Sequence, residues 1–256
     1  KQSCIGAFRS LNRKFSFLGW MAAIIPVIIA PYYCVIGGWV LKYFVDFLTG
    51  QGTAAAGDTY FKDFISVSSS GLIGNPMFWF GIYIVLNAVV VLFGVQKGVE
   101  KASRILMPML VVLIVVVTVY SLTLPGALEG VRFYLLPDLS RFSPMTVLGA
   151  VGQMFYSMSL AMGIMITYGS YMSSEDDLER SVSQIEIFDT GIAFLAGLLI
   201  VPAVVAFSGG DTTLVQQSAG SGLMFGVLPK VFDSMPFGGA VGAVFFMLVL
   251  FAALTS

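Results

Sequence analysis

The chain has 256 residues, of which 57% are hydrophobic and 11% charged, with a formal net charge of −1 and a mean hydropathy of +0.92. A soluble domain carries roughly 25% charged residues, and successive apolar windows of about 20 residues belong in a bilayer, so the composition excludes a soluble globular protein and defines an all-α integral membrane protein. Histidine is absent and only Cys4 and Cys34 supply thiols, which argues against a disulfide framework, a Cys/His metal site and a histidine-based hydrolytic triad. No basic stripe addresses nucleic acid.

Six apolar windows follow in chain order: Leu18–Leu41, Met77–Val95, Ile105–Leu124, Val147–Tyr168, Ile187–Phe207 and Gly238 to the end. The basic residues Lys1, Arg9, Arg13 and Lys14 before the first window, and Lys97, Lys101 and Arg104 before the third, place both segments on the cytoplasmic side. One cytoplasmic loop dissents, with Glu175, Asp176, Asp177, Glu179 and Glu186 against Arg180. Acidic residues weigh little in this rule.

The first span contains Pro26 and Pro31, expected to kink it. Gly50–Asn75 is rich in Gly, Ser, Ala and Thr and reads as an outer loop. Asn75-Pro76 opens the second span with proline where its missing N–H costs nothing. Phe133–Pro137 is an aromatic outer segment, and Asp211–Pro236 is a long outer connection whose apolar part, Gly222–Phe232, is expected to dip back into the protein.

The fourth span carries the strongest signal. Val151–Tyr171 reads VGQMFYSMSLAMGIMITYGSY, with Ser157, Ser159, Ala161 and Gly163 at its centre. Backbone freed from helical hydrogen bonds is tolerated at that depth only inside protein or beside a cavity. Such breaks aim helix ends and open carbonyls at ions or anionic substrate groups. Read without the break, the serines would bond back to the preceding turn.

Asp189 lies within the fifth span, where an ionised carboxylate costs roughly 2.5–3.5 kcal/mol on insertion scales. It either faces the bundle interior as a cation ligand or proton carrier, or snorkels or pairs with Arg180, while Glu186 is read as solvated. Tyr33 is either a substrate-facing phenol or an aromatic packed between helices. Ala252, Thr255 and Ser256 offer an all-oxygen shell for a hard cation, or a helix–helix contact.

Together these segments resemble the neurotransmitter:sodium symporter family, in particular its bacterial leucine-transporter-like amino-acid symporters. Val151–Tyr171 resembles the family's sixth helix. Ala30-Pro31-Tyr32-Tyr33 with Trp39 looks like the third, and Lys97-Gly98-Val99-Glu100-Lys101 with Met107-Pro108 like the junction of the fourth and fifth. Ile200–Phe207 looks like the seventh, Gly222–Phe232 like the fourth extracellular loop, and Phe251–Ser256 like the ion-binding turn of the eighth.

The resemblance implies a LeuT-type inverted-repeat fold, incomplete, in which residues 1–256 form one transporter core fragment with about six transmembrane helices, numbers three to eight. Helices one and two and those after eight are expected to be missing. It implies a substrate site at Ile29, Tyr33, Tyr156, Ser157, Ser159, Met162 and Ser256, with Tyr33 binding an amino-acid carboxylate and Tyr156 closing over it. Ser157 and Asp189 would serve a first sodium site, and Ala252, Thr255 and Ser256 a second, both completed by residues of the missing helices. Tyr171 matches a cytoplasmic gate residue, and Gln153 a position near the chloride site of chloride-dependent relatives.

Two departures bear on mechanism. Ala161 replaces a common glycine, and Asp189 stands where many members have asparagine. The carboxylate at Asp189 is expected to remove the need for chloride. The implied activity is sodium-coupled symport of a neutral, hydrophobic or aromatic amino acid across the plasma membrane, with the lipid bilayer, sodium and a small-molecule substrate as partners and no enzymatic or nucleic-acid role. A proton-coupled transporter of the same fold and a receptor- or channel-like membrane protein are the rival readings.

Overall fold

A computed structural model describes residues 2–66, 71–93, 99–173, 175, 177–213, 215 and 220–255. The chain forms α1 (Cys4–Leu11), α2 (Ser16–Leu48), α3 (Gly52–Ala55), α4 (Tyr60–Ile65), α5 (Pro76–Phe93), α6 (Val99–Leu122), α7 (Ala127–Leu135), α8 (Pro144–Ser157), α9 (Ile164–Tyr171), α10 (Leu178–Phe207), α11 (Ser221–Ser234) and α12 (Gly238–Thr255). There are also short 3₁₀ turns at Arg13–Phe15 and Leu139–Arg141, and no strand occurs among the described residues. Among the described residues, each of the six expected apolar windows is largely helical, and the fourth is interrupted.

By length and composition α2, α6 and α10 can cross a membrane, and residues 76–92 and 238–254 form shorter apolar helices. The fourth window is divided between α8 and α9. Helix α2, with 33 residues, is about 50 Å long and continues through both prolines.

Two compact units emerge. The first comprises Lys1–Tyr33 and Asp138–Ala193; the second comprises Cys34–Pro137 and Phe194–Ser256. In the second unit, Gly37 and Gly38 let α5 approach α2 closely. A Cβ on Gly37 would lie 2.2 Å from the Tyr83 ring, and one on Gly38 would lie 2.8 Å from the Phe80 amide nitrogen. The core is aromatic: Tyr43 and Phe47 of α2, Phe61 and Phe64 of α4, Phe225 and Phe232 of α11, and Phe245 and Phe246 of α12 are all buried. Phe61 stacks on Phe225 with ring centroids 5.4 Å apart. Helix α6 packs along α12, and Ser121 ties it to α10 by donating to the Leu199 carbonyl at 2.9 Å.

Two segments are more ordered than their composition predicts. The Gly50–Asn75 stretch, expected as a loop, contains α3 and α4 because Phe61 and Phe64 stand one helical turn apart and bury together. The Phe133–Pro137 segment lies largely in α7, whose Gly130 sits against the backbone of Pro202. The apolar stretch Gly222–Phe232 folds back as expected, within α11, with Phe225, Leu228, Val231 and Phe232 buried.

Candidate functional site: a broken helix and an acidic partner

Local sequence explains where α8 starts and stops. Ser143 caps its N-terminus in a capping box with Thr146, each backbone N–H donating to the other's side-chain oxygen, and Pro144 follows where no N–H is required. The other end closes as a Schellman motif. The Leu160 N–H donates to the Phe155 carbonyl at 2.9 Å and the Ser159 N–H to the Tyr156 carbonyl at 3.1 Å. Ser159, at φ +53°, fills the left-handed position that usually falls to glycine.

Left-handed backbone then recurs at every second residue, with Ala161 at +60° and Gly163 at +75°. Each non-glycine residue in that region costs roughly 1–2 kcal/mol, so Ser159 and Ala161 are held there by their surroundings. Gly163 has a further reason to lack a side chain. Its Cβ would stand 3.0 Å from the Ala22 carbonyl oxygen and 3.2 Å from the Cys4 sulfur. Helix α9 restarts from it without a side-chain cap.

Ser157 is the last residue of α8, and its hydroxyl is shared between both carboxylate oxygens of Asp189 at 2.8 and 2.7 Å. Asp189 sits in the interior of α10 and is half-buried. None of the described lysines or arginines forms an ion pair with it, so the Arg180 alternative is not the one realised. Ser157 and Asp189 together present a formal negative charge and several free lone pairs. Just beyond them α8 ends, where carbonyls lose their helical partners. An all-oxygen donor set of this kind suits a hard cation rather than a soft transition metal.

Two cavities flank the break. One, of about 340 Å³, lies between α1, α2 and the break and is lined by Phe8, Met21, Ile25, Ser159, Ala161 and Gly163 among others. The other, of about 640 Å³, lies between the break, α9 and α10, with Ser157, Ser159, Tyr168, Tyr171 and Ser181 in its wall. Ser159 therefore borders both. Met162 is half-buried in the break but lines neither cavity.

The remaining expected residues distribute as follows. Tyr156 and Gln153 are exposed on α8, Tyr156 in its last turn. Tyr171 ends α9 and shares the larger cavity with Ser157. Ile29 and Tyr33 stand one turn apart on the same face of α2, both half-buried. Ala252 lies near the end of α12 in the second unit. Thr255 closes α12, but its side chain, together with Ser256 and residues 94–98, lies outside the described residues.

One polar cluster escaped the sequence reading. Lys42 and Asp46 of α2 form a buried ion pair bridged by Tyr60 of α4. Their i, i+4 spacing just past the first apolar window was the available signal.

A multi-spanning helical membrane protein with one helix broken at bilayer depth, and a carboxylate–hydroxyl pair at the break, is the class of a secondary transporter. The sequence profile described as "Sodium:neurotransmitter symporter family" matches residues 52–256. The transporter YhdH of Bacillus subtilis, described as an uncharacterized sodium-dependent transporter, is 36% identical over 241 residues, covering 93% of this chain and 51% of its own. An uncharacterized sodium-dependent transporter of Haemophilus influenzae is 32% identical over 97% of this chain and 53% of its own. Among solved structures, MhsT in complex with L-phenylalanine superposes with a TM-score of 0.87 at 37% identity, covering 100% of this chain and 57% of that one.

The chain belongs to the sodium:neurotransmitter symporter family, a family of transporters rather than enzymes, and it has the LeuT-type fold. It spans about half the length of the curated relatives it matches.

Proposed function

We propose that the full-length protein carries a neutral amino acid with a hydrophobic or aromatic side chain across the plasma membrane, driven by co-transported sodium. The observation that carries this reading is the Ser157–Asp189 pair at the end of a helix broken by three left-handed residues. Sodium would be held at the first site by the Ser157 hydroxyl and the Asp189 carboxylate. A second site would draw on the Ala252 carbonyl and the hydroxyls of Thr255 and Ser256. An amino-acid carboxylate would meet Tyr33 and the first sodium, with Ile29, Ser159 and Met162 around the rest of the molecule and Tyr156 closing above it. Tyr171 would gate the cytoplasmic side.

The substrate class is supported by the 37% identity to MhsT, whose structure holds L-phenylalanine. It is also supported by Met162, whose thioether side chain adapts to bulky apolar groups. Asp189 makes the first cation site negatively charged without an added anion, so chloride is not required. The test is uptake of radiolabelled phenylalanine, leucine and alanine by the full-length protein in proteoliposomes, under a sodium gradient and under a proton gradient alone. Uptake of phenylalanine or leucine that follows the sodium gradient is expected. Uptake driven by protons without sodium would overturn the coupling ion and favour the proton-coupled reading.

A further inference from the structure

Lys42 and Asp46 are buried to 5% and 2% exposure and are the only fully buried charged side chains among the described residues. Both lie just beyond the apolar window ending at Leu41, at the outer end of α2. A lysine there would normally extend its ammonium to water along the helix surface. Instead the Lys42 ammonium is turned inward. It donates to the Asp46 Oδ1 and, at 2.7 Å, to the Tyr60 hydroxyl. The Tyr60 hydroxyl in turn donates to the Asp46 Oδ2 at 2.7 Å. The ammonium also stands 5.3 Å from the centre of the Tyr60 ring and 5.9 Å from that of Trp79, within range of cation–π attraction.

The three groups satisfy one another around a closed ring of hydrogen bonds. Burial, and then the hydrogen bond and charge of Asp46, push the Tyr60 phenol above its ordinary range, so its proton stays in place as the donor. Tyr60 reaches α2 from α4, fourteen residues beyond Asp46. The neighbouring Phe61 of α4 stacks on Phe225 of α11, and Tyr43 of α2 packs against both the Tyr60 and the Phe225 rings at 5.9 and 5.2 Å. The polar ring thus lies beneath the same aromatic seat that receives α11.

We infer that Lys42, Asp46 and Tyr60 form a latch that locks the outer-loop helix α4 to the end of α2 and thereby holds the seat of α11. The outer covering formed by α4 and α11 then follows α2 as one body. A buried ion pair loses its compensation when one member is removed, whereas replacing the whole pair with apolar side chains is tolerated. That asymmetry distinguishes a latch of mutually compensating charges from general packing.

The experiment is hydrogen–deuterium exchange on the full-length protein in nanodiscs, comparing Tyr60→Phe, Asp46→Asn and the triple variant Lys42→Met/Asp46→Leu/Tyr60→Phe with the parent. Tyr60→Phe keeps the ring and removes only the bridging oxygen, so it tests the latch even if Asp46→Asn fails to fold. Expected is faster exchange in residues 60–65 and 221–234, by about tenfold or more, with α8 and α9 unchanged. The triple variant, which leaves no polar member of the ring behind, should return towards parental protection. If Tyr60→Phe leaves both segments protected, or if the triple variant is looser than Tyr60→Phe, the latch is refuted.

Discussion

The hydroxyl of Ser157 spans both oxygens of Asp189, which lies 32 positions later in the chain. This pairing joins the end of one helix to the middle of another, so the charge of α10 is presented at the break. Asp189→Asn keeps the size and one acceptor oxygen but removes the charge. If that charge stands in for an anion, the parent protein will transport equally well in chloride and gluconate. The Asn variant should lose about tenfold in gluconate and recover in chloride, a coupling of the usual ~1–3 kcal/mol. Full uptake by Asp189→Asn without chloride would sink the idea.

The two non-glycine residues of the break differ from Gly163 in what a substitution would do. Gly163→Ala adds left-handed strain of ~1–2 kcal/mol and pushes a methyl to 3.0 Å from the Ala22 carbonyl, so the melting temperature should fall. Ala161→Gly relieves strain at φ +60° while loosening the unfolded chain, for a net gain of no more than ~1 kcal/mol. Thermal unfolding of the detergent-solubilised full-length protein separates the two. A neutral Gly163→Ala would contradict the packing described around the break.

Close approach of α2 and α5 depends on a missing side chain. Gly37→Ala would set its Cβ within 2.2 Å of the Tyr83 ring, forcing the ring or the helix to move. Overpacking of this kind typically costs ~1–3 kcal/mol. Reduced thermal stability, together with altered fluorescence of the adjacent Trp79, is the expected signature.

At the protein surface, Lys230 of α11 hydrogen-bonds Asp58, which is exposed, and this bond and the lysine's charge hold the Asp58 carboxyl below its ordinary value of 3.8. A carboxylate with a depressed folded-state pKa stabilises at pH above its unfolded value and loses that effect as pH falls through the folded one. Comparison of the parent with Asp58→Asn should therefore show a constant small difference from pH 8 to 5 that disappears only in more acidic buffer. Being exposed, the pair should also weaken in high salt. A difference that vanishes between pH 7 and 6 would mean another group is responsible.

Much of the architecture was legible because bilayer spans are long and apolar, and because serine, alanine and glycine at their centre mark a break. Spacing alone did not pair Ser157 with Asp189; the family resemblance assigned both to one site, and the structure adds the direct hydrogen bond between them. The helices α3, α4 and α7 were hidden because their short apolar faces sit in stretches of small and polar residues. Composition averages away a pair such as Phe61 and Phe64. The Lys42–Asp46–Tyr60 ring was invisible for a different reason. Its third member comes from a segment whose fold had been read as a loop, and only tertiary packing shows that the charges are covered.

The Schellman closure at Ser159 makes the break a matter of count as well as of chemistry. Residues 158–163 connect two helices whose faces must both be correct, with Ser157 towards α10 at one end and Tyr168 and Tyr171 along the larger cavity at the other. Each residue of a helix turns its face by about 100°. A single insertion or deletion between Met158 and Gly163 would leave Ser157 in place yet swing the tyrosines of α9 away from their wall. The segment should therefore accept some exchanges of side chain but tolerate no change in its length.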